Sequence, residues 1–600
     1  MSKRFFGIRN LEFLLYDVHD VETLTRHSHF AEHSRDTFNL VLETAFKLGR
    51  DILRPVLEEM DRRPPEYTDG RVRVHSAVRA FMAECGEGGW IGATAPFTAG
   101  GQQLPGSLIN ACHFIWAAAN YSASVYPMLT DGAAHLIEAF GSEDLKELFI
   151  PDMYSGRWQG TMALTEPQAG SSLADITTSA EPTDDGHYKI RGQKIFISAG
   201  DHDGVDNVVH LTLAKIKGSP AGVKGISLFV VPRLRPEDIG LVLNDVSTAG
   251  VFHKLGYKGC PITHLSIGEN DDCRGWLVGE PNQGLSYMFQ MMNQARIEVG
   301  LCAAGIASAA YYASLAYAKE RPQGRGPTDR DPTLPQIPII QHPDVKRMLL
   351  FQRAVVEGGL SLLLQCGIYS DLIRVTEGEE QARYALLLDL LTPVAKSYPS
   401  EMGITSVSQG LQILGGYGYC DEFPLEQYYR DMRIHPIHEG TTGIQGMDLL
   451  GRKILMKGSV AFTLFLEEVT KSIHAARDVE ALTPYADRLD GALETLKQVT
   501  ARLVGVAKIR GRELLLADAT LFLEMFGIIA VAWQWLLQGV AGQRALTEDR
   551  SEQEAAFYRG KHQTMRFFFH YELPKIEGLS TRLLEADGLT VEASAETFVD

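Results

Sequence analysis

Four short segments hold residue types that can do chemistry. The first is YRDMRIHPIHEGTTGIQ, residues 429–445. Glu439 sits there in an apolar, histidine-containing stretch, with a glycine and two threonines after it. A carboxylate in such a setting can have a raised pKa and act as a general base. The same residues also read as a glutamate at a helix N-terminus beside a threonine cap. His435, His438 and Glu439 match no metal-ligand spacing, so no metal is expected. The second segment, MALTEPQAGSS (162–172), mixes hydroxyls, glycine and proline just ahead of a strand. It can offer N–H groups and hydroxyls to a polar ring or a phosphate, or form an ordinary turn. The third, QKIFISAG (193–200), puts Phe196 and Ser198 two apart, on one face of a strand. That pair can pack on and hydrogen-bond a flat cofactor, or Phe196 can simply fill the core. The fourth, QILGGYGY (412–419), has closely spaced glycines that permit close backbone approach to a ligand or a neighbouring chain.

These segments need elements to position them. Residues 36–150 read mostly as helix, with apolar spacing of three to four in FNLVLETAFKLGRDILRPVLEEM and a Gly/Pro loop at 96–106. From about 160 to 275, runs such as HYKIRGQKIFIS, VVHLTLAKI and GISLFVVPR indicate a small β domain. Long apolar helices return at Gly284 and continue to about 455, and a further helical block covers 460–590. The fold class expected is α+β, mainly α. Strands do not alternate with helices, which argues against a doubly wound parallel sheet. There is no GxGxxG after a strand, no P-loop, no HExxH and no GxSxG.

The 600 residues hold 57 Lys+Arg and 75 Asp+Glu, a net charge of −18, which argues against general nucleic-acid binding. A 45% hydrophobic and 22% charged composition excludes a disordered or coiled-coil chain. The seven cysteines are scattered, as expected of reduced buried thiols and a cytoplasmic location. Acidic residues soon interrupt the apolar N-terminal run, so it does not read as a signal peptide. Residues 519–539 are long and apolar enough to touch or cross a membrane. Glu524, Gln534 and Gln538 interrupt them, which favours a buried bundle helix.

Taken together, the four segments resemble the acyl-CoA dehydrogenase family over residues 36–455. The family's TEPxAGS loop corresponds to 165–171, its GQKxxI(S/T) strand to 192–198 and its QxxGGxG turn to 412–418. Its RD…EGT…IQ segment corresponds to Arg430, Asp431, Glu439, Gly440, Thr441, Ile444 and Gln445. The N-terminal LEFLLYDVHDVETL, the phrase IQGMDLLGRK and the C-terminal helical block resemble a branch of about 600 residues that includes methylmercaptopropionyl-CoA and bacterial fatty acyl-CoA dehydrogenases. On that resemblance the organisation is an N-terminal segment (1–35), an N-terminal helical domain (36–157), a central β domain (158–280), a helical bundle with the base (281–455) and a C-terminal helical domain (460–592).

The resemblance implies an enzyme that binds FAD between the β domain and the helical bundle and oxidises acyl-CoA to trans-2-enoyl-CoA. It implies Glu439 as the base that removes the α-proton while the β-hydrogen leaves as hydride. The flavin contacts it implies are Met162, Leu164, Thr165, Ser171, Phe196, Ser198 and Thr441, with Arg321, Gln323, Gln412 and Gly416 reaching the FAD of a partner subunit. Substrate contacts fall to Ser171, Asn293, Arg296, His438 and Gly440. An electron-transferring flavoprotein as acceptor and a homodimer are further implications. Departures from the family pattern are Met162 in place of an aromatic, Phe196 in place of Trp, Gly324 in place of Phe, Gly443 in place of Gln, His438 in place of Tyr, and an insert at 326–338. An acyl-CoA oxidase, or a non-catalytic flavin protein of the same fold, is the alternative. Chain length and substituents of the acyl group are not legible.

Overall fold

The computed structural model describes residues 4–326, 328 and 331–600, apart from the side chain of Gln290. Residues 1–3 of the N-terminal segment and residues 327, 329 and 330 of the insert therefore lie outside the described ones. The chain divides into two compact units. One holds 37–104 and 115–295; the other holds the residues up to Asp36 with 105–114 and 296–600.

The first unit contains an eight-stranded sheet. The runs VVHLTLAKI and ISLFVVP form the antiparallel strands Asn207–Ile216 and Ile226–Pro232. Both are buried on both faces over most of their length, so they read as continuous apolar runs, not alternations. Tyr188–Ser198, Arg274–Leu277, Ile226–Pro232, Asn207–Ile216 and Ser179–Pro182 pair in a closed ring. Ile190, Ala214, Phe229, Val231 and Leu265 belong to one buried cluster of this domain. A second cluster joins Trp158, Leu211 and Leu228 to Phe149 and Met153 of the helix Glu143–Tyr154.

The helical reading of residues 36–150 needs one correction. Glu66–Thr68 and Arg71–Arg73 form a two-stranded hairpin. Asp69 and Gly70 both have positive φ, 54° and 77°, as a tight two-residue hairpin turn requires. The DG dipeptide was the available signal.

The second unit is helical. Its longest pieces are Pro343–Val375, Gly378–Leu414, Thr483–Arg510 and Ala519–Leu546, with the later residues of Gly284–Glu320. Ala519–Leu546 is apolar all round because neighbours cover it: 78% of its most apolar 18-residue stretch is buried. By length and composition it is one of three helices among the described residues apolar enough to cross a membrane. Its polar residues are accommodated separately. Glu524 is exposed, Gln534 accepts from Ser361 Oγ at 2.7 Å, and Gln538 accepts from Lys561 Nζ at 2.9 Å. Trp535 Nε1 donates to the Ala354 carbonyl at 3.0 Å, and a Cβ on Gly358 would lie 2.5 Å from that nitrogen. The N-terminal segment is tied in through Arg9, which donates to Glu554 and Tyr558, and through Asn10, which accepts from Lys561.

The described cysteines are all free. Six are buried, but Cys420 is half-exposed, against the expectation that all would be buried.

Candidate active site

In the helical unit the chain turns sharply after the short helix Leu425–Met432. Glu439 and Gly440 both take positive φ, 54° and 90°. This conformation is uncommon for a glutamate and natural for a glycine. A Cβ at Gly440 would lie 2.5 Å from Gln445 Nε2 and would displace that amide. Thr442 N–H donates to the Pro436 carbonyl at 3.0 Å and closes the loop. Thr441 is the N-cap of the helix Thr442–Asp448, accepting from Ile444 N–H at 3.3 Å. The threonine-cap reading and the base reading are therefore compatible: Thr441 caps, and Glu439 stands just outside the helix.

Side chains fix this loop from two directions. Gln445 Nε2 donates to the Glu439 carbonyl at 3.1 Å, and Lys396 Nζ donates to the Gly440 carbonyl at 2.9 Å. Burial pushes the Glu439 carboxyl above its ordinary value, while Arg296 and Lys396 pull it partly back. Burial, with His435 and Lys396 adding to it, keeps His438 neutral, and its Nε2 is buried without a partner. The rings of His435 and His438 meet edge to face at 5.5 Å. Arg296, read from the sequence as a substrate contact, is buried and donates to Asp448 Oδ2 at 3.4 Å. The Glu439 N–H has no partner among the described residues. The loop thus presents a carboxyl of raised pKa beside its own available amide.

A cavity of about 390 Å³ lies elsewhere in the same unit. Arg321, Gln323, Tyr317, Gly415, Gly416 and Cys420 are among its lining residues. It brings together three of the four positions assigned to a partner's flavin; Gln412 is exposed just outside the lining. Gly415 has φ 60° and ψ −135°, a conformation open essentially only to glycine, and a Cβ on Gly415 or Gly416 would meet nothing within 4 Å. The turn is therefore open for close approach of a ligand, and the Arg321 guanidinium lies 5.9 Å from the centre of the Tyr417 ring. A cation, an amide and an uncovered glycine backbone fit a nucleotide.

In the β-containing unit the loop 165–178 is organised by one carboxylate. Glu166 accepts from Lys194 Nζ at 2.8 Å, from the N–H and hydroxyl of Thr177 at 2.6 and 2.9 Å, and from those of Thr178 at 3.1 and 2.6 Å. Gln168 Nε2 adds a sixth bond at 2.8 Å. Burial alone would raise this carboxyl, but Lys194 and the threonines hold it down to about 2. Lys194 Nζ also donates to the Leu164 carbonyl, and Ile195 N–H to the Thr165 carbonyl at 2.9 Å, so the loop is pinned to the strand. Met162, Leu164, Thr165 and Ser198 are half-buried, and Ser171 is exposed. Asn293, in the same unit, is half-buried.

Phe196 is not a core residue. It is 59% exposed, has φ 59°, and its ring lies 4.7 Å from that of Phe252. The register against Ile262–Ile267 shifts between Lys194 and Ile197, so a bulge breaks the simple alternation assumed for Phe196 and Ser198. An uncovered aromatic ring on a strained backbone is a platform for a flat ligand.

Comparison with known proteins decides the family. The N-terminal, middle and C-terminal domains of acyl-CoA dehydrogenase match residues 37–157, 161–269 and 282–455. The chain belongs to the acyl-CoA dehydrogenase family. Members of this family are FAD-dependent oxidoreductases. A further match, described as acetyl-CoA dehydrogenase C-terminal like, covers 465–594, as in the branch of about 600 residues. The chain is 35% identical over 94% of its length to the 3-methylmercaptopropionyl-CoA dehydrogenase of Ruegeria pomeroyi, covering 95% of that protein. It is 32% identical to a butyryl-CoA dehydrogenase of Syntrophomonas wolfei, with 99% of each chain covered. The fold is similar to that of a Bacillus anthracis acyl-CoA dehydrogenase solved with FAD, with a TM-score of 0.73 at 21% identity over 94% of this chain and 90% of that one.

Sequence reasoning missed Lys396, Glu166, Lys194 and the Arg296–Asp448 pair. Lys194 carried a signal: it is a charged residue in a strand run, and the structure buries it.

Proposed function

We propose that this protein oxidises an acyl-CoA thioester to its trans-2-enoyl-CoA, with Glu439 as the base. The observation that carries this reading is the Glu439 loop: a carboxyl raised by burial, on a left-handed residue whose own N–H is available. An ordinary carboxylate is too weak to deprotonate carbon beside a thioester. An N–H bonded to the thioester oxygen stabilises the charge that develops as the α-proton leaves. Glu439 takes the proton, and exclusion of water keeps it basic. A bound FAD would supply the acceptor for the β-hydrogen as hydride, so that the substrate would lose one proton and one hydride. Met162, Leu164, Thr165, Ser171, Phe196, Ser198 and Thr441 are proposed to hold the flavin, and Ser171, Asn293, Arg296, His438 and Gly440 the substrate.

The cavity at Arg321, Gln323 and Gly416 supports a homodimer in which it receives the nucleotide end of the FAD of a second copy. An electron-transferring flavoprotein is the proposed acceptor. Anaerobic mixing of the FAD-loaded protein with acyl-CoAs of graded length, including methylthio acyl groups, tests the reading. Bleaching of the visible flavin band by one class is expected; no bleaching by any thioester would contradict it. Reoxidation by electron-transferring flavoprotein far faster than by oxygen is expected, and the reverse would make the protein an oxidase.

A further inference from the structure

We propose that Lys396 is a positioning residue for Glu439: its ammonium holds the Gly440 carbonyl, fixes the left-handed Glu439–Gly440 pair and places a buried positive charge beside the loop that carries the base. The inference rests on Glu439 being the base. Lys396 lies in the middle of the helix Gly378–Leu414, and its side chain is fully buried. Its one hydrogen bond among the described residues goes to the Gly440 carbonyl, at 2.9 Å. A buried ammonium bonded only to a neutral carbonyl is poorly compensated, because desolvating an ion costs several kcal/mol, roughly, unless an opposite charge faces it. The groups around it supply that charge. On its own helix Glu401 attracts it, and from the loop Glu439 does. Arg296, from Gly284–Glu320, repels it. His435 and His438, also on the loop, are kept neutral by burial.

A lysine at this place therefore does two things that a neutral residue cannot do together. Its N–H bond fixes the carbonyl that follows the base, where positive φ makes the backbone sensitive to displacement. Its charge, together with that of Arg296, opposes the upward push of burial on the Glu439 carboxyl. Gln445, whose Nε2 donates to the Glu439 carbonyl at 3.1 Å and to the Gly440 carbonyl at 3.5 Å, supplies only the first effect.

Three variants separate the two effects: Lys396→Met removes both, Lys396→Gln keeps a donor without charge, and Lys396→Arg keeps charge and donors. Each is loaded with FAD, and two quantities are read. One is the pH profile of anaerobic bleaching by the acyl-CoA that reduces the wild type fastest. The other is amide hydrogen exchange over residues 437–442, which needs no turnover. Loss of a nearby opposite charge raises a carboxyl by about one pH unit or more. The acid limb is expected to move up by that amount in Lys396→Met and Lys396→Gln, and to stay near wild type in Lys396→Arg. Exchange over 437–442 is expected to quicken about tenfold or more in Lys396→Met. Acid limbs that coincide with wild type in Lys396→Gln and, where it folds, Lys396→Met would overturn the charge role. Unchanged exchange in Lys396→Met would overturn the positioning role. If Lys396→Met does not fold, Lys396→Gln against Lys396→Arg decides the charge role, and exchange over 437–442 in Lys396→Ala, which also lacks a donor, decides the positioning role. A wild type that binds FAD but never bleaches would instead overturn Glu439 as the base, and exchange would still test the link to Gly440.

Discussion

Replacing Glu166 by Gln should loosen the loop 165–178 by an amount that can be worked out. The carboxyl, ordinarily at 4.5, is held at about 2. At 1.36 kcal/mol per pKa unit, its charged form is favoured by about 3 kcal/mol. Lys194 shifts the opposite way: burial, only partly offset by Glu166, brings it from 10.5 to about 8, a cost of similar size. The intact pair therefore nets close to zero, while removing one member leaves the other buried and uncompensated, at about 3–5 kcal/mol. Gln is nearly isosteric, but its amide nitrogen must face three donors whichever way it turns, since each Glu166 oxygen accepts three bonds. Thr177 and Thr178 N–H both bond to this carboxylate, so their exchange rates report the loop directly. A loss of about 3 kcal/mol corresponds to exchange at least about a hundredfold faster. Glu166→Gln/Lys194→Met should recover part of that protection, because no unpaired charge remains. The sign in pH follows: a depressed carboxyl stabilises above its unfolded value near 4.5, and this contribution is lost as pH falls toward about 2. Exchange at both amides within threefold of wild type in Glu166→Gln would refute the reasoning.

Three further outcomes are expected. Lys561→Met should cost about 1–3 kcal/mol in urea unfolding, because Lys561 bonds Glu357, Gln538 and Asn10 where four segments meet, and these buried partners lose a donor while Arg353 still pairs with Glu357. A change under 1 kcal/mol would count against the junction as a stabilising element. Gly415→Ala should weaken FAD binding in calorimetric titration, because its φ of 60° and ψ of −135° cost a non-glycine residue about 1–3 kcal/mol; equal affinity would remove the turn from the nucleotide site. The bleaching rate of the wild type should fall with falling pH along a limb above 4.5, since Glu439 must be ionised to accept a proton and its carboxyl is raised. A limb below 4.5 would contradict the raised carboxyl.

How much of this was legible in the sequence depended on range. The Glu439 segment, the TEPQAGS loop and the GGYG turn are local, and their glycines and threonines carry the backbone signal by themselves. The helix–β–helix order followed from hydrophobic period, and the apolar run at 519–539 proved to be a buried bundle helix. Lys396 was illegible because its partner lies 44 residues away, and a lysine in an apolar helix reads as solvent-facing. The pairing of Lys194 with Glu166 was hidden by their separation of 28 residues, although the lysine itself stood out in its strand run. The exposure of Phe196 was missed because a bulge, set by pairing with a distant strand, displaces it from the alternation that its own strand suggests.

The central claim is that Glu439 takes the α-proton. The most direct measurement is rapid anaerobic mixing of FAD-loaded wild type and Glu439→Gln with the same acyl-CoA, following the visible flavin band. Both proteins should bind FAD equally, and the variant should bleach at least about 10²–10⁴-fold more slowly. Bleaching of Glu439→Gln at the wild-type rate, with FAD bound, would remove Glu439 from the role and leave the loop a structural turn.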